Sequence, residues 1–144
     1  MALQDKQRPS DFTINETIAN AIRARLQDGK LPCAAAFHIA DEQQVTPLEV
    51  GRTADALEIH LTRCQLGLFG YPGHAKGWDT PNFAVFTVPE GLEEAVRNAA
   101  DEENNVGCAA LWEISRRFEI PRLYIGWFTD QLGIRISPCQ LGAF

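Results

Sequence analysis

The chain has 144 residues, 45% of them hydrophobic, and a formal net charge of −6. That is enough apolar material to bury a core. The charge is shared, seven basic against nine acidic residues through Pro72 and six against ten beyond it, which excludes a basic module that holds nucleic acid by bulk charge.

In chain order, Met1–Ser10 is polar and reads as a flexible tail rather than a signal peptide. No apolar run reaches the length that spans a bilayer, so a cytoplasmic protein without membrane contact is expected. Ile14, Ile18, Ala21, Ile22 and Leu26 recur at helical spacing, with Asp11 or Thr13 to cap the start and Asp28-Gly29 to stop it. Pro32 then opens a second helix, Cys33 to Gln44, carrying Ala34, Phe37, Ile39 and Ala40. Thr46-Pro47-Leu48-Glu49 is a capping box with proline at the first helical position, which predicts a third helix from Pro47 to about Leu57. Ile59-His60-Leu61 alternates like a short strand, and Thr62-Arg63-Cys64-Gln65 has the spacing of another cap, written again as Ser137-Pro138-Cys139-Gln140. Gly70 to Gly91 is a turn-rich loop followed by a strand over Phe83–Val88, and Leu92, Ala95, Val96 and Ala99 mark a further helix.

The stretch from Cys33 to Phe69 is written a second time from Cys108 to Phe144 without a gap. The copies agree at Cys33/Cys108, Ile39/Ile114, Leu48/Leu123, Gly51/Gly126, Asp55/Asp130, Cys64/Cys139, Gln65/Gln140, Leu66/Leu141 and Gly67/Gly142, among others. Agreement at Cys, Gly and Gln as well as at apolar places reads as a duplicated unit. The expected organisation is a tail over 1–10, a first repeat over 11–71, a loop and strand connector over 72–90 and a second repeat over 91–144.

Within each copy, helix, short break, capped helix and short strand follow one another. Ile39-Ala40, Val45-Thr46, Val50, Ala54 and Leu57 in the first copy, and Ile114-Ser115, Ile120-Pro121, Ile125, Phe128 and Leu132 in the second, resemble the helix-turn-helix of winged-helix DNA-binding domains. Gln44 and Glu119 stand where such turns carry glycine. The resemblance implies a mainly α fold with short β strands, two helix-turn-helix, winged-helix-like units forming a pseudo-dimer, and a DNA-binding protein of the transcription-regulator class that reads double-stranded DNA. Thr46 and Arg52 in the first copy and Arg122 in the second are then the DNA contacts, with His74 and Lys76 on the loop as wing contacts.

Two features point to an alternative on the same scaffold, a protein-interaction or dimerisation module that binds a protein partner or a second copy. Tyr124-Ile125-Gly126-Trp127-Phe128 is apolar on more than one face, as buried helices are. Gly51 and Gly126 sit inside helices, where glycine costs about 1 kcal/mol relative to alanine, so another element is expected to approach closely there, the two third helices packing on each other being one arrangement.

The cysteines stand once at each end of each copy and never as CxxC, so buried free thiols are the expected state. A thiol-based metal or redox sensor would draw on Cys33, Cys64, Cys108 and Cys139, with Cys64 and Cys139 at the second position of short helices. Neither His38/Glu113 nor His60/Arg135 is preserved between the copies, and no phosphate loop, HExxH or nucleophile elbow occurs, so no enzyme and no cofactor are expected. Trp112 falls in register with Phe37, which assigns it to the core.

Overall fold

The computed structural model describes residues 12–81, 83–84 and 87–143; the expected tail and Asp11 lie outside them. It is mainly helical with a few two-residue strands, and it divides into two compact units. The first runs to Cys64 and takes up the chain again at Leu141, and the second spans Gln65–Gln140.

In the first unit, α1 spans Glu16–Arg23 and is capped by Asn15, whose Oδ1 accepts the N–H groups of Thr17 at 2.9 Å and Ile18 at 3.3 Å. Its apolar stripe of Ile18, Ala19 and Ile22 is buried. The helix is shorter than its apolar spacing suggests. Beyond Arg23 the chain must reverse, through Asp28 and Gly29 at φ 52° and 76°, and Leu26 is left outside it. β1 (Leu31–Pro32) leads directly into α2 (Cys33–Gln43), and α3 (Pro47–Ala56) follows after a tight break. β2 is Leu61–Thr62, one residue beyond the expected strand, because the Ile59 N–H still returns to the Ala54 carbonyl at 2.9 Å.

β1 and β2 pair in parallel, Leu31 opposite Leu61 and Pro32 opposite Thr62. Parallel neighbours need a crossover, and α2 and α3 supply it. The strand after α3 is thus held by the strand before α2.

The second unit repeats this order. α4 (Leu92–Ala99) buries Leu92 and Val96, β3 (Asn105–Val106) leads into α5 (Cys108–Arg117), and α6 (Arg122–Gln131) is followed by β4 (Arg135–Ile136). β3 and β4 are again parallel, with Val106 opposite Ile136. A 3-10 turn over Gly77–Asp79 precedes α4. Of the strand expected over Phe83–Val88, Phe83, Ala84, Thr87 and Val88 have no strand pairing, and Val85 and Phe86 lie outside the described residues.

Both helix-helix breaks are built alike. Gln44 and Glu119 take the left-handed conformation at φ 54° and 56°, and the next N–H, of Val45 or Ile120, reaches back to Ala40 or Ser115 at 3.0 Å. A residue with a Cβ gives up about 1 kcal/mol in this conformation, which is why such turns favour glycine. Packing of Ile39, Ala40, Val50 and Ala54 in the first unit, and of Ile114, Ser115 and Ile125 in the second, offsets that cost.

No helix forms at Thr62–Gln65 or at Ser137–Gln140. Thr62 and Ile136 are committed to the strand pairs, Arg63 is left-handed at φ 48°, and the Pro138 carbonyl is taken by the Cys108 N–H at 3.0 Å. The residues that start helices are the other cysteines, Cys33 and Cys108.

Candidate functional site

One face each of α3 and α6, the helices that a groove reader would present, is met by another segment of the chain. A Cβ built on Gly51 would lie 1.8 Å from the carbonyl oxygen of Leu141, and one built on Gly126 would lie 1.8 Å from that of Leu66. No side chain fits at either place. One turn earlier, Leu48 lies under Gly142 and Leu123 under Gly67. Leu141-Gly142 therefore lie along α3, and Leu66-Gly67 lie along α6. Leu66 and Leu141 are each 1% exposed. The close approach expected at the two glycines is real, but a loop carbonyl makes it.

More of α6 is covered by the connector. Phe83 meets Tyr124 edge-on at 5.2 Å between ring centres and lies 6.0 Å from Trp127, and Gly77 faces the Leu123 side chain. From Arg122 to Thr129 no residue of α6 is fully exposed. On α3, Arg52 and Leu48 are exposed.

At the corner of α5 and α6 a cleft of about 580 Å³ opens, walled by Trp112, Arg116, Glu119, Arg122 and Gln140 among others. Arg122, the first residue of α6, lays its guanidinium over the Trp112 ring at 3.6 Å from the centroid and donates from Nη1 to Gln65 Oε1 at 2.6 Å. A guanidinium against an indole face is attracted by the ring quadrupole, by about 0.5–2 kcal/mol depending on desolvation. The hydrogen bond fixes the plane of the fork. Across the cleft mouth, Arg116 bonds Glu113 through two donors, so these two charges neutralise each other, and the Glu113 carboxyl is held below the ordinary carboxylate value by that hydrogen bond. Deeper in, Ser115 donates its hydroxyl to the Ile120 carbonyl, and Gln140 Nε2 lies 3.8 Å from Cys108 Sγ.

The residues singled out from sequence fall in both units. Thr46 caps α3, accepting the Glu49 N–H at 3.1 Å, and Arg52 is exposed six residues further along the same helix. Lys76 donates to the Leu68 carbonyl at 3.4 Å and sits 5.9 Å from the Trp78 ring centre, and His74 is exposed in the Tyr71–His74 turn. Arg122 is the one residue of that set that enters the cleft. Trp112 is half-buried and forms the cleft floor under Arg122, where the register with Phe37 assigned it to the core. The identity of Gln65 and Gln140 in the two copies was the available signal for the polar partners of this corner.

Cys33, Cys64 and Cys108 are buried, Cys139 is half-buried, and none of the four is in a disulfide. Among the described residues no three His, Cys, Asp or Glu side chains group as a metal site, and no helix is long and apolar enough to cross a membrane. Comparison with protein-family models, with curated proteins and with solved structures finds no match.

Proposed function

We propose that this chain is a protein-interaction module made of two duplicated helix-turn-helix-like units, with α3 and α6 as internal struts and the α5–α6 cleft as the place where a partner segment docks. The observation that carries this reading is the loop laid along each third helix, at 1.8 Å from where a Cβ of Gly51 or Gly126 would be. On α6 such cover, with no fully exposed residue from Arg122 to Thr129, leaves no face to enter a major groove, whereas α3 keeps Leu48 and Arg52 exposed. The duplication is supported by equivalent rungs in the two strand pairs, Leu31–Leu61 and Val106–Ile136, and by the shared glycines. For docking, the Trp112–Arg122 pair supplies the residue types that dominate interface energies, held in place before a partner arrives.

The test is a selection from a displayed random-peptide library against the intact protein, run beside Trp112→Ala and Arg122→Ala. Enrichment of a peptide class that both substitutions abolish is the expected result. No enrichment over the variants removes the cleft from the reading.

Double-stranded DNA is the second reading, and the exposure of Arg52 on α3, six residues after the Thr46 cap, is what favours it. Recovery of selected sequences from a random duplex pool, with a steep salt dependence that Arg52→Ala lowers, would put it ahead.

A further inference from the structure

Beyond partner binding, we infer that Cys108 and Cys139 form a thiol pair that a peroxide oxidises to a disulfide, and that Cys33 and Cys64 form the same pair in the first unit. The parallel strands bring each pair together. In the second unit the ladder continues past Val106–Ile136: Ser137 donates to the Val106 carbonyl at 2.8 Å, and Cys108 donates to the Pro138 carbonyl at 3.0 Å. Pro138 is bonded to Cys139, so standard backbone dimensions hold the two Cα atoms within about 7 Å. That is the reach of a disulfide. In the first unit Cys33 and Cys64 stand at the same steps beyond the rung Leu31–Leu61 as Cys108 and Cys139 do beyond Val106–Ile136. Residues that seem remote in sequence are neighbours because α2–α3 and α5–α6 are crossovers between paired strands.

The chemistry balances with hydrogen peroxide as oxidant. The sulfur of one cysteine attacks the O–O bond, forming a sulfenic acid and releasing one water. The second sulfur then displaces the hydroxyl as a second water, forming the S–S bond. The two thiols lose two electrons and two protons, and both electrons end on the peroxide oxygens. Cys139, half-buried, is the sulfur a peroxide reaches first, with Cys108 at 6% exposure resolving it. Cys33 and Cys64 are each 6% exposed, so their pair reacts more slowly.

The experiment treats the reduced, intact protein with hydrogen peroxide, alkylates the remaining thiols over a time course, and maps peptides without reduction. Expected is loss of alkylation at Cys108 and Cys139 together, several-fold faster than at Cys33 and Cys64, with linked peptides 108–139 and 33–64. Cys139→Ser should lose only the first of these links. Full alkylation of all four cysteines after peroxide, or links that join Cys33 or Cys64 to Cys108 or Cys139, would overturn the assignment.

Discussion

In the corner between α2 and α3, Thr46 caps the second helix through its hydroxyl and Pro47 follows. In the corner between α5 and α6 those places are held by Pro121, which brings no capping hydroxyl, and by Arg122, which lies over Trp112. The backbone of the two corners is the same down to the left-handed residue between the helices. The first corner spends its side chains on ending and starting helices, with Phe37 where Trp112 stands. The second leaves that work to the backbone and carries a stacked cation at the wall of a cleft. The two corners thus share a backbone and differ in what their side chains do.

The largest expected effect tests what the units share. Alanine would gain about 1 kcal/mol of helix propensity over glycine at positions 51 and 126. A Cβ at 1.8 Å from a carbonyl oxygen reverses that sign, since neither the helix nor the loop can give so far without unseating Leu141 or Leu66. Gly51→Ala and Gly126→Ala should each lower stability by about 3 kcal/mol or more, read as a fall in urea midpoint. Comparable losses at both sites would mean that both helices are clamped alike. A loss at one alone would break the symmetry at its most closely packed point.

Smaller effects separate the corners. Arg122→Ala should cost about 1–2 kcal/mol through the lost ring contact and hydrogen bond. Trp112→Phe, which imports the first unit's residue, should couple to it by about 0.5–1 kcal/mol in a double-mutant cycle, and additivity within error would refute the stacking account. Thr46→Ala should cost about 1 kcal/mol by removing the cap of α3, whereas Pro121→Ala, with no side-chain cap bond to lose, should cost less. Equal losses in the two would mean that Thr46 contributes nothing as a cap.

The helices were legible in the sequence because caps and apolar spacing are local: the start of α3 at Pro47, the span of α2 with Ile39 and Ala40 buried, and α4 from Leu92 to Ala99 follow from neighbouring residues, whereas Ala34 is exposed and Phe37 and Trp112 are half-buried. The glycines inside α3 and α6 announced a close approach, but not what approaches, since Leu141 and Leu66 are distant in sequence. The same gap hid the strand pairs. Thr62-Arg63-Cys64-Gln65 has the spacing of a cap, and only the partner strand, thirty positions earlier at Leu31–Pro32, commits Thr62 to a ladder instead. At the cleft, Arg122 was identifiable as an arginine on the right helix, while its seat on Trp112 and Gln65 required the folded chain.

The smallest effect lies at the cleft mouth, where the second unit has the Glu113–Arg116 pair and the first has His38, 3.5 Å from Glu42. Hydrogen bonding to Arg116 lowers the Glu113 carboxyl relative to its unfolded value and raises Arg116. A carboxyl lowered on folding stabilises the folded chain above its unfolded value, and that contribution disappears as pH falls through the lowered one. The pair is solvent-exposed, so water and salt screen most of it. Urea midpoints of the parent and Glu113→Gln should therefore differ slightly at neutral pH and low salt. They should converge in acid below the lowered value, and also at neutral pH in high salt. A difference that persists in acid would place the effect of the substitution in the packing around Trp112, and the charge at the mouth would have no part in holding the corner.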